Sequence, residues 1–186
     1  MLTQQQRHSL LQTVQHNGVI CYPTEAVWGL GCHPRSASAF ARILRLKQRP
    51  QEKGVILIAA TLVQLTAYAK IPDALQAQVQ SAWQDFTTCI LPTTADCPDY
   101  LCGRHGTIAV RLTQYRVLQE ICLAADSALV STSANLHNQA VVSDIAAAKA
   151  LFQKNVDYYL DAPLGGAKKP SRMVDFTRQP PVVRRV

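Results

Sequence analysis

The chain has 186 residues, of which 48% are hydrophobic and 17% charged, and it carries a net charge of +7. That length builds one well-buried core and is short for two, and no run approaches the roughly 20 apolar residues that span a bilayer. The positive balance points to polyanionic ligands, either nucleic acid or phosphorylated metabolites, while an aromatic content of 6% argues against an extended base-stacking platform.

The first residues, MLTQQQRHSLLQTVQHNG, lack the apolar core of a signal peptide, which implies a cytoplasmic protein. Leu10, Leu11 and Val14 at helical spacing predict a helix over 3–16, with Gly18 as its stop. GVICY (18–22) predicts a strand running into Pro23, and SASAFARILRLK (36–47) a helix opened by a serine cap. VILIAA (55–60) has the continuous apolar character of a strand buried on both faces. Residues 61–83 have a helical pattern broken at Pro72, 87–92 is a strand, and 93–106 is rich in turn formers. A strand at 108–112, a helix at 117–125, a strand at 128–133 and a helix at 143–153 beginning at Ser143 follow. Three strands at 156–161, 171–176 and 181–186 complete the order. With no linker, repeat or low-complexity tract, the pattern predicts a single α/β domain over residues 1–186, with a twisted mixed sheet flanked by helices.

The six cysteines lack paired zinc knuckles. The nearest approach is Cys97-P-D-Y-L-Cys102 with His105 close by, and no second pair answers it. The expectation is free thiols, mostly small core residues, and no metal site.

In such folds ligands gather where loops leave strand ends. Four segments there are polar or constrained. In YPTEAVWGLGCHP (22–34), Thr24 and Glu25 supply a hydroxyl and a carboxylate, and Gly29 and Gly31 allow close backbone approach to a ligand. In LKQRPQEKG (46–54), Lys47 and Arg49 follow a helix end beside Pro50, and two fixed cations so close suit a polyphosphate. In ALVSTSANLHNQ (128–139), Ser131, Thr132, Ser133 and Asn135 end a buried strand and suit a polar ligand. GGAKKPSRMVDF (165–176) carries a glycine pair, Lys168, Lys169 and Ser171. No G-x-S-x-G, H-E-x-x-H or Walker loop occurs, and the five histidines form no triad, so positioning and electrostatics are expected to carry the chemistry.

Together YPTEAVWGLGC, LKQRP…KGVILIAA, IAVRL, VSTSANL and KPSRMVD resemble the YrdC-like family, in its short, single-domain TsaC-type form of threonylcarbamoyl-AMP synthases. The resemblance implies an α/β sheet with a basic concave cavity. It also implies synthesis of threonylcarbamoyl-AMP and pyrophosphate from L-threonine, bicarbonate and ATP with Mg²⁺, the product passing to a separate transferase complex that modifies tRNA. Carried over by position, Thr24 and Ser133 would hold threonine, Lys47 and Arg49 the ATP phosphates, and Thr88, Ser131, Asn135 and Ser171 the nucleotide, with Arg111 shaping the ATP cavity. Where relatives often carry W-P-G-P this chain has WQDFTTC (83–89), and where longer relatives have a histidine it has Ile58. The competing expectation is a basic module that binds double-stranded RNA or tRNA, marked by steep salt dependence without nucleotide turnover.

Overall fold

The computed structural model describes residues 1–49, 55–102 and 106–185; Pro50, Lys53 and His105 lie outside the described residues. Among these residues nine strands form one mixed sheet: β1 (Ile20–Pro23), β2 (Trp28–Cys32), β3 (Ile56–Ala59), β4 (Thr87–Pro92), β5 (Thr107–Leu112), β6 (Leu129–Ser133), β7 (Tyr158–Tyr159), β8 (Arg172–Asp175) and β9 (Val182–Arg185). Their spatial order is β7-β1-β2-β6-β3-β5-β4-β8-β9. Parallel pairs (β1–β7, β3–β5, β4–β8) mix with antiparallel ones such as β1–β2 and β3–β6.

Among the described residues five α-helices flank the sheet: α1 (Gln4–Gln15), α2 (Ala37–Lys47), α3 (Gln76–Gln84), α4 (Arg116–Ala124) and α5 (Ile145–Phe152). Local chemistry sets their starts. Thr3 and Gln6 form a reciprocal capping box on α1, Ser36 accepts from Ala39 N at 3.3 Å on α2, and Asp144 Oδ1 accepts from Ala147 N at 2.8 Å on α5. The α1 stop is shared between two residues. Asn17 takes the left-handed conformation (φ 59°), while Gly18 makes room for Thr13, whose Cγ2 would lie 2.4 Å from a Cβ there.

Alternation along the strands sorts the core into two layers. Cys21, Leu30, Leu57, Val110 and Val130 pack with Phe40 and Ile43 of α2, Val79 and Trp83 of α3, and Phe152 of α5. Ile20, Tyr22, Ile58 and Leu129 face the other way, against Leu10 and Val14 of α1 and Leu118 and Ile121 of α4. Helices α1 and α4 cover only part of that second face. The uncovered remainder is where the site lies.

Three expectations are corrected. Residues 61–75 are not α-helical: 3₁₀ turns occupy Val63–Leu65 and Asp73–Leu75, because the intervening backbone pairs with the end of β4 through Lys70 N to Pro92 O at 2.9 Å and Thr94 N to Tyr68 O at 3.1 Å. The second half of 22–34 is not loop but strand β2, the return arm of a hairpin. Only Tyr158–Tyr159 of 156–161 is strand. No helix among the described residues is long and apolar enough to cross a membrane.

Candidate active site

One register row crosses five strands: Gly31, Ser131, Ile56, Ala109 and Ile90 stand side by side on β2, β6, β3, β5 and β4. The next row pairs Ile58 with Arg111. All of these residues but Gly31 floor a cavity of about 580 Å³ on the face that α1 and α4 leave open, a volume within the range of ligand pockets. Its walls come from Thr24 and Val27 at the β1–β2 turn, Ser131, Thr132 and Ser133 of β6, and Pro170 and Ser171 before β8. Arg49, Arg111 and Arg185 bring three guanidinium groups to it.

Of the residues singled out from sequence, Thr24, Arg49, Arg111, Ser131, Ser133 and Ser171 line the cavity. Lys47, Thr88 and Asn135 stand behind its wall. Lys47, the last residue of α2, is 2% exposed, and its Nζ donates to Asn135 O (2.9 Å), Asn135 Oδ1 (2.8 Å) and Ser133 O. The backbone repeats the link, with His137 N donating to Lys47 O at 2.7 Å. Lys47 therefore ties the end of α2 to the segment that follows β6, and all three ammonium protons are in use. The fully buried Thr88 shares a 2.8 Å hydrogen bond with Ser171 Oγ and so sets the Ser171 hydroxyl. Asn135 Oδ1 also accepts from Ser133 Oγ at 2.7 Å, and its Nδ2 donates to Gln139 O at 2.6 Å.

Burial, then the neighbouring Arg49, lowers the Lys47 pKa to about 8. A neutral amine has two N–H groups for three oxygens, so the clamp weakens as pH rises through that value. Ligand binding in the cavity is expected to fall along a limb centred near pH 8, measurable as a pH profile of binding and displaced when Lys47 is replaced.

Arg49 leaves α2 through Gln48, which is left-handed (φ 50°), and its Nη1 donates to Thr132 Oγ1 at 3.3 Å. Arg111 is gripped from two sides. Its Nη1 donates to Glu25 Oε1 in a close ion pair, and the Phe86 ring lies 4.9 Å from its guanidinium carbon. Phe86 itself is held at φ 49°, a strained conformation for a bulky residue that persists where packing over-determines it.

Arg185 escapes sequence reasoning. The stretch PVVRRV carries no site signal, yet register against Met173 turns Arg185 to the cavity, where it donates to Ser171 O (3.0 Å) and Ser171 Oγ (3.3 Å). Adjacent Arg184 points the other way and pairs with Asp175 at 2.8 Å. The glycines also divide: Gly29 lines the cavity, but Gly31 serves the Tyr22 ring rather than a ligand.

All six cysteines are free, with the Cys97 and Cys102 sulfurs 3.8 Å apart. Burial pushes the Cys21, Cys32, Cys89 and Cys122 thiols up to about 12, which keeps them protonated and inert. Among the described residues no group of three His, Cys, Asp or Glu could hold a metal ion.

An apolar floor ringed by hydroxyls and guanidinium groups makes the cavity complementary to an anionic small molecule. The family model Sua5_yciO_yrdC, described as Telomere recombination, matches residues 12–186, and the chain belongs to that family. It is 46% identical to the threonylcarbamoyl-AMP synthase of Pseudoalteromonas translucida over 84% of this chain and 86% of that one. YciO of E. coli has the same fold, with 27% identity and a TM-score of 0.85 over 100% of this chain and 90% of that one. A crystal structure of P. abyssi Sua5 complexed with L-threonine also shares the fold: its TM-score is 0.90 at 23% identity, over 98% of this chain and 54% of that longer one.

Proposed function

We propose that this chain is an enzyme that makes threonylcarbamoyl-AMP and pyrophosphate from L-threonine, bicarbonate and ATP. The reading is carried by the convergence of Arg49, Arg111 and Arg185 with the Ser131–Ser133 hydroxyls in one cavity, and supported by relatives of that name at 43–46% identity. The threonine amine combines with bicarbonate, releasing water and giving a carbamate whose oxygen attacks the α-phosphorus as pyrophosphate leaves. Arg49 and Arg185 offset charge on the phosphates, and Thr24 and Ser133 orient the amino acid. Ser131 and Ser171 add hydroxyl contacts to the nucleotide, and Arg111 completes the ATP cavity. Lys47, Thr88 and Asn135 serve the same nucleotide from behind the wall.

Mg²⁺ enters as part of the nucleotide substrate. The described cavity wall carries no carboxylate, because Glu25 is turned to Arg111, so the triphosphate oxygens hold the ion and Arg49 complements it. The product goes on to a transferase complex that acts on tRNA, in a cytoplasmic setting.

The test is pyrophosphate release from ATP with and without L-threonine and bicarbonate. Strict dependence on both is expected, and release indifferent to either sinks the assignment. Arg49→Ala should lower that rate by about 10²–10³, as for loss of a preorganised donor to developing charge. Its melting temperature should stay within about 2 °C of wild type, since a residue at the cavity wall carries little of the core.

A further inference from the structure

Glu25 belongs to none of the roles above, yet it sits at the junction of the site. Its side chain is 10% exposed, and Oε1 accepts from both Arg111 Nη1 and Thr113 Oγ1, the latter at 2.6 Å. Oε2 is buried and has no hydrogen-bond partner among the described residues. Such an arrangement is costly unless the charge is needed where it is. The backbone around it is held as firmly. Gly165 N donates to Thr24 O at 3.0 Å and Ala167 N to Glu25 O at 2.8 Å, and a Cβ on Gly165 would come within 2.8 Å of the Glu25 Cα.

The Arg111 side chain makes no other hydrogen bond among the described residues, and it lines the cavity. One edge of its guanidinium is therefore spent on Glu25 while Phe86 supports its face, which leaves the remaining N–H groups for the cavity. A guanidinium fixed on one edge and one face has a single direction left in which to donate. A planar fork so held suits a bidentate oxyanion, carboxylate or phosphate, far better than a free arginine does.

We propose that Glu25 is a positioning residue: it acts through Arg111, fixing the guanidinium so that its open edge meets an oxyanion of the substrate. The inference rests on the proposed function, because it takes L-threonine and ATP as the oxyanion carriers. Through the Gly165 and Ala167 contacts, Glu25 also sets the strap leading to Ser171, so two walls of the cavity share one anchor.

The test is a double-mutant cycle read by calorimetric binding of ATP and of L-threonine, each added alone. Arg111→Ala is expected to weaken one of the two ligands by roughly 10- to 100-fold, the worth of a charge-assisted hydrogen bond. Glu25→Ala should weaken the same ligand and leave the other within about twofold of wild type. In the Arg111→Ala background, Glu25→Ala should then add nothing. A Glu25 effect of equal size in both backgrounds, or one spread over both ligands, overturns the positioning role. If Glu25→Ala does not fold, Glu25→Gln keeps the shape and the Oε1 acceptor, and its effect must likewise vanish without Arg111. Wild-type protein that binds neither ligand refutes the functional reading itself, and the inference with it.

Discussion

Replacing Lys47 by methionine is expected to lower pyrophosphate release by about 100-fold or more and also to lower the melting temperature. Methionine fills the volume but removes three charge-assisted bonds: Asn135 O is left without a donor, while Ser133 O keeps Asn135 N and Asn135 Oδ1 keeps Ser133 Oγ. Losing those bonds and stranding one partly buried acceptor costs on the order of 3 kcal/mol together. For a chain of 186 residues that corresponds to a fall of roughly 6–12 °C. The activity loss follows from displacement, since shifting a binding group by about 1 Å can cost 10²-fold. The paired readings separate two roles. A variant that loses activity at an unchanged melting temperature would mean that Lys47 meets the substrate directly and that the clamp is incidental.

Gly31→Ala is expected to destabilise the fold by about 3 kcal/mol, the upper end of what overpacking does in a close-packed core. A Cβ at that position would lie 2.4 Å from Val130 O, 2.7 Å from Tyr22 Cε1 and 2.8 Å from the Tyr22 hydroxyl. Neither neighbour can yield. Val130 O belongs to the β2–β6 ladder, and Tyr22 is fully buried under α1 and α4. Gly29→Ala is the control, because its closest neighbour is the Thr24 Cγ2 at 3.3 Å. Chemical denaturation of the two variants should separate them clearly. Equal stabilities would mean that the hairpin shifts to accept a methyl group.

Most of the sheet was legible because buried strands write themselves as short apolar runs. TTCILP corresponds to β4 residue for residue. Failures came where tertiary pairing overrode a local pattern. Leu65, Tyr68 and Ala69 have helical spacing, but Ala69 bridges Thr93 and the backbone follows β4 instead. WGLGC looked like a loop because glycines rarely mark strands, and only the Tyr22 ring lying across Gly31 explains them.

The site was legible in part for the same reason. Hydroxyls ending an apolar strand and a cation after a helix are local signals, and Ser131, Ser133 and Arg49 all reach the cavity. Which of two neighbouring cations faces inward is not local. Lys47 precedes Arg49 by two residues and is turned to the β6 segment, and Arg185 differs from Arg184 only by strand parity. The partnership of Glu25 with Arg111 spans 86 residues, which no spacing rule can see.

Ile58 belongs to two structures at once. It is part of the packed layer under α1 and α4, and it is also floor of the cavity beside Arg111. The cavity and the packed core layer of that face thus share a wall one side chain thick. Remodelling the chamber at that point obliges the two helices to reseat. Changes at the rim, at Val141 or Met173, carry no such obligation. Substrate preference in this architecture can drift from the mouth inward, and its deepest contacts are inherited from the requirement to fold.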